Sequence, residues 1–197
     1  MEDRRVYLIR HARPAGDGVP RFLGRTDPPL SPEGRIAARR LGRCLRALSP
    51  GAVYCSPLRR CVETARYLDA NPIPVPGLEE IDMGAWDGLP RAEVRARFPD
   101  AYAARGRDFA HFAPPGGESF AQAAERARSA LDRILAESRG NVAVVAHAGI
   151  NRTLLCAAAG RPLSELMSFP QRYCGVSTLR VTADGPALEA VDELIWT

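Results

Sequence analysis

The alternation of short apolar runs with capped helices predicts an α/β domain of three layers, a mostly parallel central sheet with helices on both faces. Apolar, β-rich runs stand at 5–9, 52–55 and 141–146, and each gives way to a loop or a helix signature. Serine-led caps mark helix starts at Ser31-Pro32, Ser56-Pro57 and Ser119-Phe120-Ala121-Gln122. A length of 197 residues, 46% hydrophobic and 25% charged, suits one globular domain over 1–197 with room for a three-layer core.

The first strand, Arg5-Val6-Tyr7-Leu8-Ile9, ends abruptly on Arg10-His11 and breaks into a loop, Pro14 to Pro20. Residues 21–30 are rich in turn formers. The helix opened by Ser31 is expected to reach about Leu48, with Ile36, Leu41, Cys44, Leu45 and Leu48 on its buried side, before Ser49-Pro50-Gly51 stops it. Ala52 to Cys55 is a second strand. The helix after Ser56-Pro57 is expected to run through Leu68, with Arg59 in its first turn, where free N–H groups favour anions. Proline-rich 73–76 leads to a loop carrying Glu79-Glu80. Between about 90 and 118, two short helices separated near Pro99 make a small helical cap insertion. A long helix follows to about Ser138, then the strand Asn141 to Ala146, ending in His147-Ala148-Gly149, and a helix through Ala159. Two strands, 176–182 and 187–194, close the chain around a turn at Asp184-Gly185-Pro186.

Composition removes several classes of function. No apolar stretch approaches the roughly 20 residues of a membrane span. Met1-Glu2-Asp3-Arg4-Arg5 leads straight into a core strand, so no signal peptide is expected and the cytoplasm is the expected compartment. Five widely spaced cysteines without a Cys-x-x-Cys argue against a disulfide framework and against a zinc site. The net charge is +4, and every basic side chain is an arginine. These arginines are scattered and aromatics make up only 7% of the chain, so no nucleic-acid face is expected. No cofactor is expected either.

Three strand ends now deliver Arg10-His11, Arg59 and His147, with the carboxylate pair Glu79-Glu80 between the last two. That set suits phosphoryl transfer through a phosphohistidine. A neutral imidazole is a competent nucleophile near neutral pH. Guanidiniums hold phosphoryl oxygens bidentately, a second imidazole can donate to a non-bridging oxygen, and a carboxylic acid can protonate the departing alkoxide. No metal is needed. On the residues alone, either glutamate could be the acid.

Arg10-His11-Ala12 resembles the Arg-His-Gly signature of the histidine phosphatase superfamily, which includes the cofactor-dependent phosphoglycerate mutases. The resemblance continues through 24–34, 56–65, 80–88, 115–120 and 147–149, in family order. It implies a phosphoglycerate mutase-like fold and a small phosphorylated metabolite as partner. It also implies His11 as nucleophile, Arg10 and Arg59 as phosphate clamp with Gly24 in the phosphate pocket, His147 as second histidine and Glu80 as acid/base. Glu79 then becomes a solvated neighbour. The family's glycine after the histidine is Ala12 here, its next Thr or Ser is Pro14, and its Asn falls at Asp17, expected to turn outward. The short interval between Glu80 and His147 resembles the phosphatase branch more than the mutases. Gly24-Arg25-Thr26-Asp27 is similar to α-ribazole phosphatases. Monomer and homodimer both stay open.

Rival readings exist. Cys174 and Arg180 fit the Cys-x5-Arg pattern of cysteine-dependent phosphatases, but the segment reads as a turn entering a strand with no helix behind it. A non-catalytic phospho-ligand-binding relative would be expected to lack His11 or Glu80. A mutase would need a bisphosphorylated primer. Of the remaining residues, His111 could bind substrate from the cap but is expected as a surface or partly buried histidine. Arg105 and Arg107 could meet an anionic substrate but are expected in solvent. Trp86 is expected in packing, while Tyr102 and Phe112 could line a pocket or pack the cap.

Overall fold

The computed structural model describes residues 4–196. Met1 to Asp3, on which part of the leaderless reading rests, and Thr197 lie outside them. Six strands form one sheet: β1 (Arg5–Arg10), β2 (Ala52–Cys55), β3 (Ile73–Pro74), β4 (Val142–Ala146), β5 (Val176–Thr182) and β6 (Gly185–Glu193), in the order β3-β2-β4-β1-β5-β6. The first four are parallel, and β5 and β6 add an antiparallel edge beside β1.

Strand alternation sorts the core into two sides. Val6, Leu8, Val142 and Val144 pack with α5 (Phe120–Glu137) and α6 (Ala148–Ala158). Tyr7, Ile9, Val53 and Val145 pack with α1 (Pro32–Leu45) and α2 (Arg59–Ala65). Among the described residues, no helix is long and apolar enough to cross a membrane.

Several helix details depart from the sequence reading. Helix α1 ends at Leu45, with a 3-10 turn at Arg46–Leu48. Its buried residues are Gly34, Ala38, Leu41, Gly42 and Leu45, whereas Ile36 is 55% exposed. The two glycines set this phase. A Cβ on Gly34 would stand 2.1 Å from the Arg13 carbonyl oxygen, and one on Gly42 2.1 Å from that of Tyr67. The helix therefore lies on its neighbours by its glycine stripe, and Ile36 faces out. Helix α2 begins at Arg59, with no side-chain cap from its own N-cap residue, Leu58, and stops at Ala65 rather than Leu68.

The expected helix pair is present as α3 (Arg91–Arg97) and α4 (Pro99–Arg107). It closes over Trp86, which is fully buried and ringed by Phe22, Phe98, Tyr102 and Phe112 at centroid distances of 5.3–6.4 Å. Tyr102 and Phe112 are thus packing residues.

Candidate active site

Sheet register brings the strand ends together before any side chain is considered. Arg10 on β1 pairs with Ala146 on β4, and Cys55 on β2 pairs with Val145. The His11 N–H donates to the Ala146 carbonyl at 3.0 Å, and the Ser56 N–H to that of Val145 at 2.9 Å. His11, His147 and Ser56 consequently sit side by side at the carboxyl edge of the parallel strands, where open α/β sheets gather their ligands.

The His11 ring is buried, with Nδ1 2.8 Å from the Ala12 carbonyl oxygen. A carbonyl only accepts, so Nδ1 carries the proton and Nε2 keeps its lone pair. Burial first, then the positive charges of Arg10 and Arg60, hold His11 well below the ordinary histidine range. His147 lies edge-on to it at a centroid distance of 5.1 Å, fully enclosed, with Nε2 2.8 Å from Ser56 Oγ and 3.3 Å from Cys61 Sγ. Burial and the Arg60 charge also push His147 well down. His147 stands behind the open cleft, beside the nucleophile candidate.

A stability prediction follows from these two imidazoles. Both resist protons that their unfolded counterparts accept below about pH 6.5. The unfolded chain therefore gains protons first as the pH falls. Destabilisation should begin near pH 6.5 and grow by at most about 1.4 kcal/mol per pH unit for each imidazole, down to its folded value. Thermal melts should show a Tm flat above about pH 7 and falling below 6.5, with a shallower fall in His11→Ala. A Tm unchanged across that window in the wild type would mean that the imidazoles titrate normally.

The guanidinium positions revise the sequence reading. Arg59 points to solvent, 59% exposed, and its Nε donates to Glu63 at 2.6 Å. Arg60 is the one that enters the cleft, at 1% exposure. It donates through Nη1 to the Thr26 carbonyl (2.9 Å) and Asp27 (3.2 Å), and through Nη2 to the Gly24 carbonyl (2.8 Å). Because α2 starts at Arg59, its second residue is the one that faces inward. Gly24 does not line the cleft; it holds Arg60 by its carbonyl, and a Cβ there would meet the Ile81 carbonyl at 2.5 Å. Arg10 donates to the Gln171 carbonyl at 2.5 Å and stacks 3.8 Å over the Tyr173 ring. Arg10 and Arg60 each keep a buried Nε–H without an acceptor.

Glu80 closes the other side, buried, its carboxylate accepting from the N–H groups of Ile81 (3.0 Å) and Gly149 (3.2 Å). Sequence reading missed what braces it. Arg126 on α5 donates to the carbonyls of Gly77, Glu79 and Glu80 at 2.7–3.2 Å and pairs with Glu118 at 2.5 Å. Glu118 in turn accepts from the Asp82 N–H. Glu79, expected in solvent, is partly buried near Arg25 and Arg126, at 3.8 and 3.9 Å. An arginine seven residues into a capped helix was the signal available for Arg126, and a helical arginine alone points nowhere.

The cleft between these residues has a volume of about 610 Å³, within the range of small-molecule sites. Asp17 is exposed at its rim and paired with Arg21, as an outward turn requires. His111 and Arg107 are exposed, but Arg105 is not solvated as expected: it is half-buried in the cleft wall. Cys174 is buried, its thiol pushed up to about 12 by burial, and it leads into β5 rather than a phosphate-cradling loop. Among the described residues, no group of three or more His, Cys, Asp or Glu could hold a metal ion.

The model of the histidine phosphatase superfamily (branch 1) matches residues 6–193. Among curated relatives, phosphoserine phosphatase 1 of Hydrogenobacter thermophilus is 30% identical over 170 residues, covering 84% of this chain and 81% of that protein. Glucosyl-3-phosphoglycerate phosphatase of Mycolicibacterium vanbaalenii is 31% identical over 177 residues, 84% and 78%. Longer relatives are matched over 36–51% of their length, as with a bifunctional protein of Mycobacterium tuberculosis (33% identity, 51% covered). In three dimensions, α-ribazole phosphatase from Shigella flexneri superposes with a TM-score of 0.87 at 24% identity over 96% of both chains.

Proposed function

This chain belongs to the histidine phosphatase superfamily, and from that membership and the geometry of its cleft we propose a phosphomonoesterase that works through a phosphohistidine on a small phosphorylated metabolite. One observation carries the reading. A buried imidazole, held neutral with its Nδ1 proton fixed, lies by two guanidiniums whose Nε–H groups lack acceptors, and a buried carboxyl closes the same cleft.

In this scheme Arg10 and Arg60 hold the phosphoryl oxygens. His11 Nε2 attacks phosphorus; the N–P bond forms as the P–O ester bond breaks. Glu80, in its acid form, gives its proton to the departing alkoxide. The resulting carboxylate then takes a proton from water, whose oxygen displaces the imidazole and releases phosphate. His147 supports the charge that builds on the phosphoryl group from beside His11. No step uses a metal. Residues at about 90–118 act as a cap that selects the leaving alcohol. The resemblance of the Gly24 to Asp27 stretch to α-ribazole phosphatases suggests α-ribazole 5′-phosphate as one candidate; the names of the relatives add phosphoserine and glucosyl-3-phosphoglycerate. These three make the first substrate panel.

The test is turnover of p-nitrophenyl phosphate in EDTA, together with mass spectrometry of acid-sparing digests. Wild type should release p-nitrophenol, and Glu80→Gln should accumulate a phosphoryl group on His11 because its hydrolysis step lacks a base. His11→Ala should carry none. A phosphoryl group on any other residue, or turnover undiminished in His11→Ala, would sink the scheme.

A further inference from the structure

The phosphate end of the cleft accounts for Arg10 and Arg60 but not for the arginines on its far wall. Arg105 on α4 lines the cleft, with its guanidinium 4.1 Å over the Phe109 ring and 5.5 Å from that of Phe22. Arg91, at the start of α3, lines the same wall and lies 5.9 Å from the Phe22 ring. Two cations therefore share one aromatic ring at the cleft wall.

Among the described residues, neither is paired with an acid. The nearby carboxylates are already engaged: Asp17 with Arg21 at 2.5 Å, Glu93 with Arg97 at 2.8 Å. Among the described residues Arg105 makes ring contacts and no ion pair, unlike Arg126, Arg172, Arg97 and Arg161, which each have a carboxylate within 4 Å. Burial weighs most against the charged form of Arg105; the Tyr102 phenol beside it favours that form, and the neighbouring Arg91 charge opposes it. A half-buried cation facing a like charge is an unfavourable arrangement that an anion in the cleft would relieve. A guanidinium held over a phenyl ring can still offer N–H donors to a carboxylate or phosphoryl oxygen.

We propose that Arg105, supported by Arg91, forms a second anion site that selects phosphomonoesters carrying another anionic group, a carboxylate or a second phosphoryl, on the leaving alcohol. The inference rests on the phosphatase reading above, since it takes the ester phosphate to sit at Arg10 and Arg60. Within the substrate panel it favours phosphoserine and glucosyl-3-phosphoglycerate, which carry a carboxylate, over α-ribazole 5′-phosphate, which does not.

Calorimetric binding to His11→Ala, a background that needs no turnover, tests it; Glu80→Gln serves as a second background should His11→Ala fold poorly. O-phosphoserine is compared with O-phosphoethanolamine, which differs only by the carboxylate, and glucose 1,6-bisphosphate with glucose 6-phosphate. The anion-bearing member of at least one pair should bind about tenfold tighter, a ratio that a charged hydrogen bond supports. The pair with the larger ratio names the anion. Adding Arg105→Gln should bring that ratio to within about twofold, and Arg105→Lys should keep part of it, because the charge stays while the fork is lost. Equal binding within both pairs, or a preference that Arg105→Gln leaves intact, would overturn the second site. Failure of the catalytic reading shows elsewhere, in the p-nitrophenyl phosphate and phosphohistidine measurements.

Discussion

Arg60→Ala should lower kcat/KM for phosphomonoesters by about 10³-fold, while the adjacent Arg59→Ala stays within about twofold of wild type. The two side chains differ by one position and by almost everything physical. Arg60 lines the cleft yet is enclosed at 1% exposure, fixed by two carbonyls and Asp27, with its buried Nε–H left without an acceptor. Arg59 is solvated and tied to Glu63, a pairing worth little at a surface. Arg60→Lys should fall between, because an ammonium keeps the charge without the fork. Since removing Arg60 also leaves Asp27 without its partner, circular dichroism should accompany the kinetics. A larger loss in Arg59→Ala than in Arg60→Ala would show that the clamp is misplaced.

Gly149→Ala should cost about 10²-fold in kcat, the scale expected when a catalytic group is moved by about an ångström. A Cβ at Gly149 would stand 2.4 Å from Glu80 Oε1 and 3.3 Å from Phe120 Cε1. The carboxylate cannot stay where the Ile81 and Gly149 N–H groups hold it. The loss should therefore run through Glu80: the double variant with Glu80→Gln should be no slower than Glu80→Gln alone, the non-additivity of two changes at one device. Full additivity would mean that Gly149 acts by some route other than the carboxylate.

Much of this arrangement was legible in the sequence, for local reasons. Strand runs ending in Arg10-His11 and His147 announced their place at a sheet edge. Ser31 and Ser119 cap their helices through hydrogen bonds spanning three residues, so propensity and structure agree. What stayed hidden depends on distant partners. Ser56 looked like a helix cap, and its hydroxyl does accept from the Leu58 N–H at 3.3 Å, but it also faces His147, 91 residues away, and the N–H groups of Arg59 and Arg60 that open α2 go to Asp27. That one substitution of partners shifts the helix start and exchanges the places of Arg59 and Arg60. Ile36 followed the apolar pattern and still lies outside, because backbone contact at Gly34 and Gly42 outweighs a single side chain. Glu79 left solvent for Arg25 and Arg126, neither of which its own neighbourhood announces.

The aromatic ring around Trp86 has a consequence for how such a protein can change. The nucleophile, its guanidiniums and the Glu80 loop hang on the sheet, on α2 and on α5, and among the described residues, 91–112 supply none of the hydrogen bonds that hold these groups. That segment sits on Trp86 by apolar packing, which tolerates exchange of shape more readily than a polar network does. It is a detachable module in the engineering sense. Grafting another helical pair between Pro90 and Ala113, with rings to surround the indole, should transplant a substrate preference while leaving the phosphate chemistry where it is.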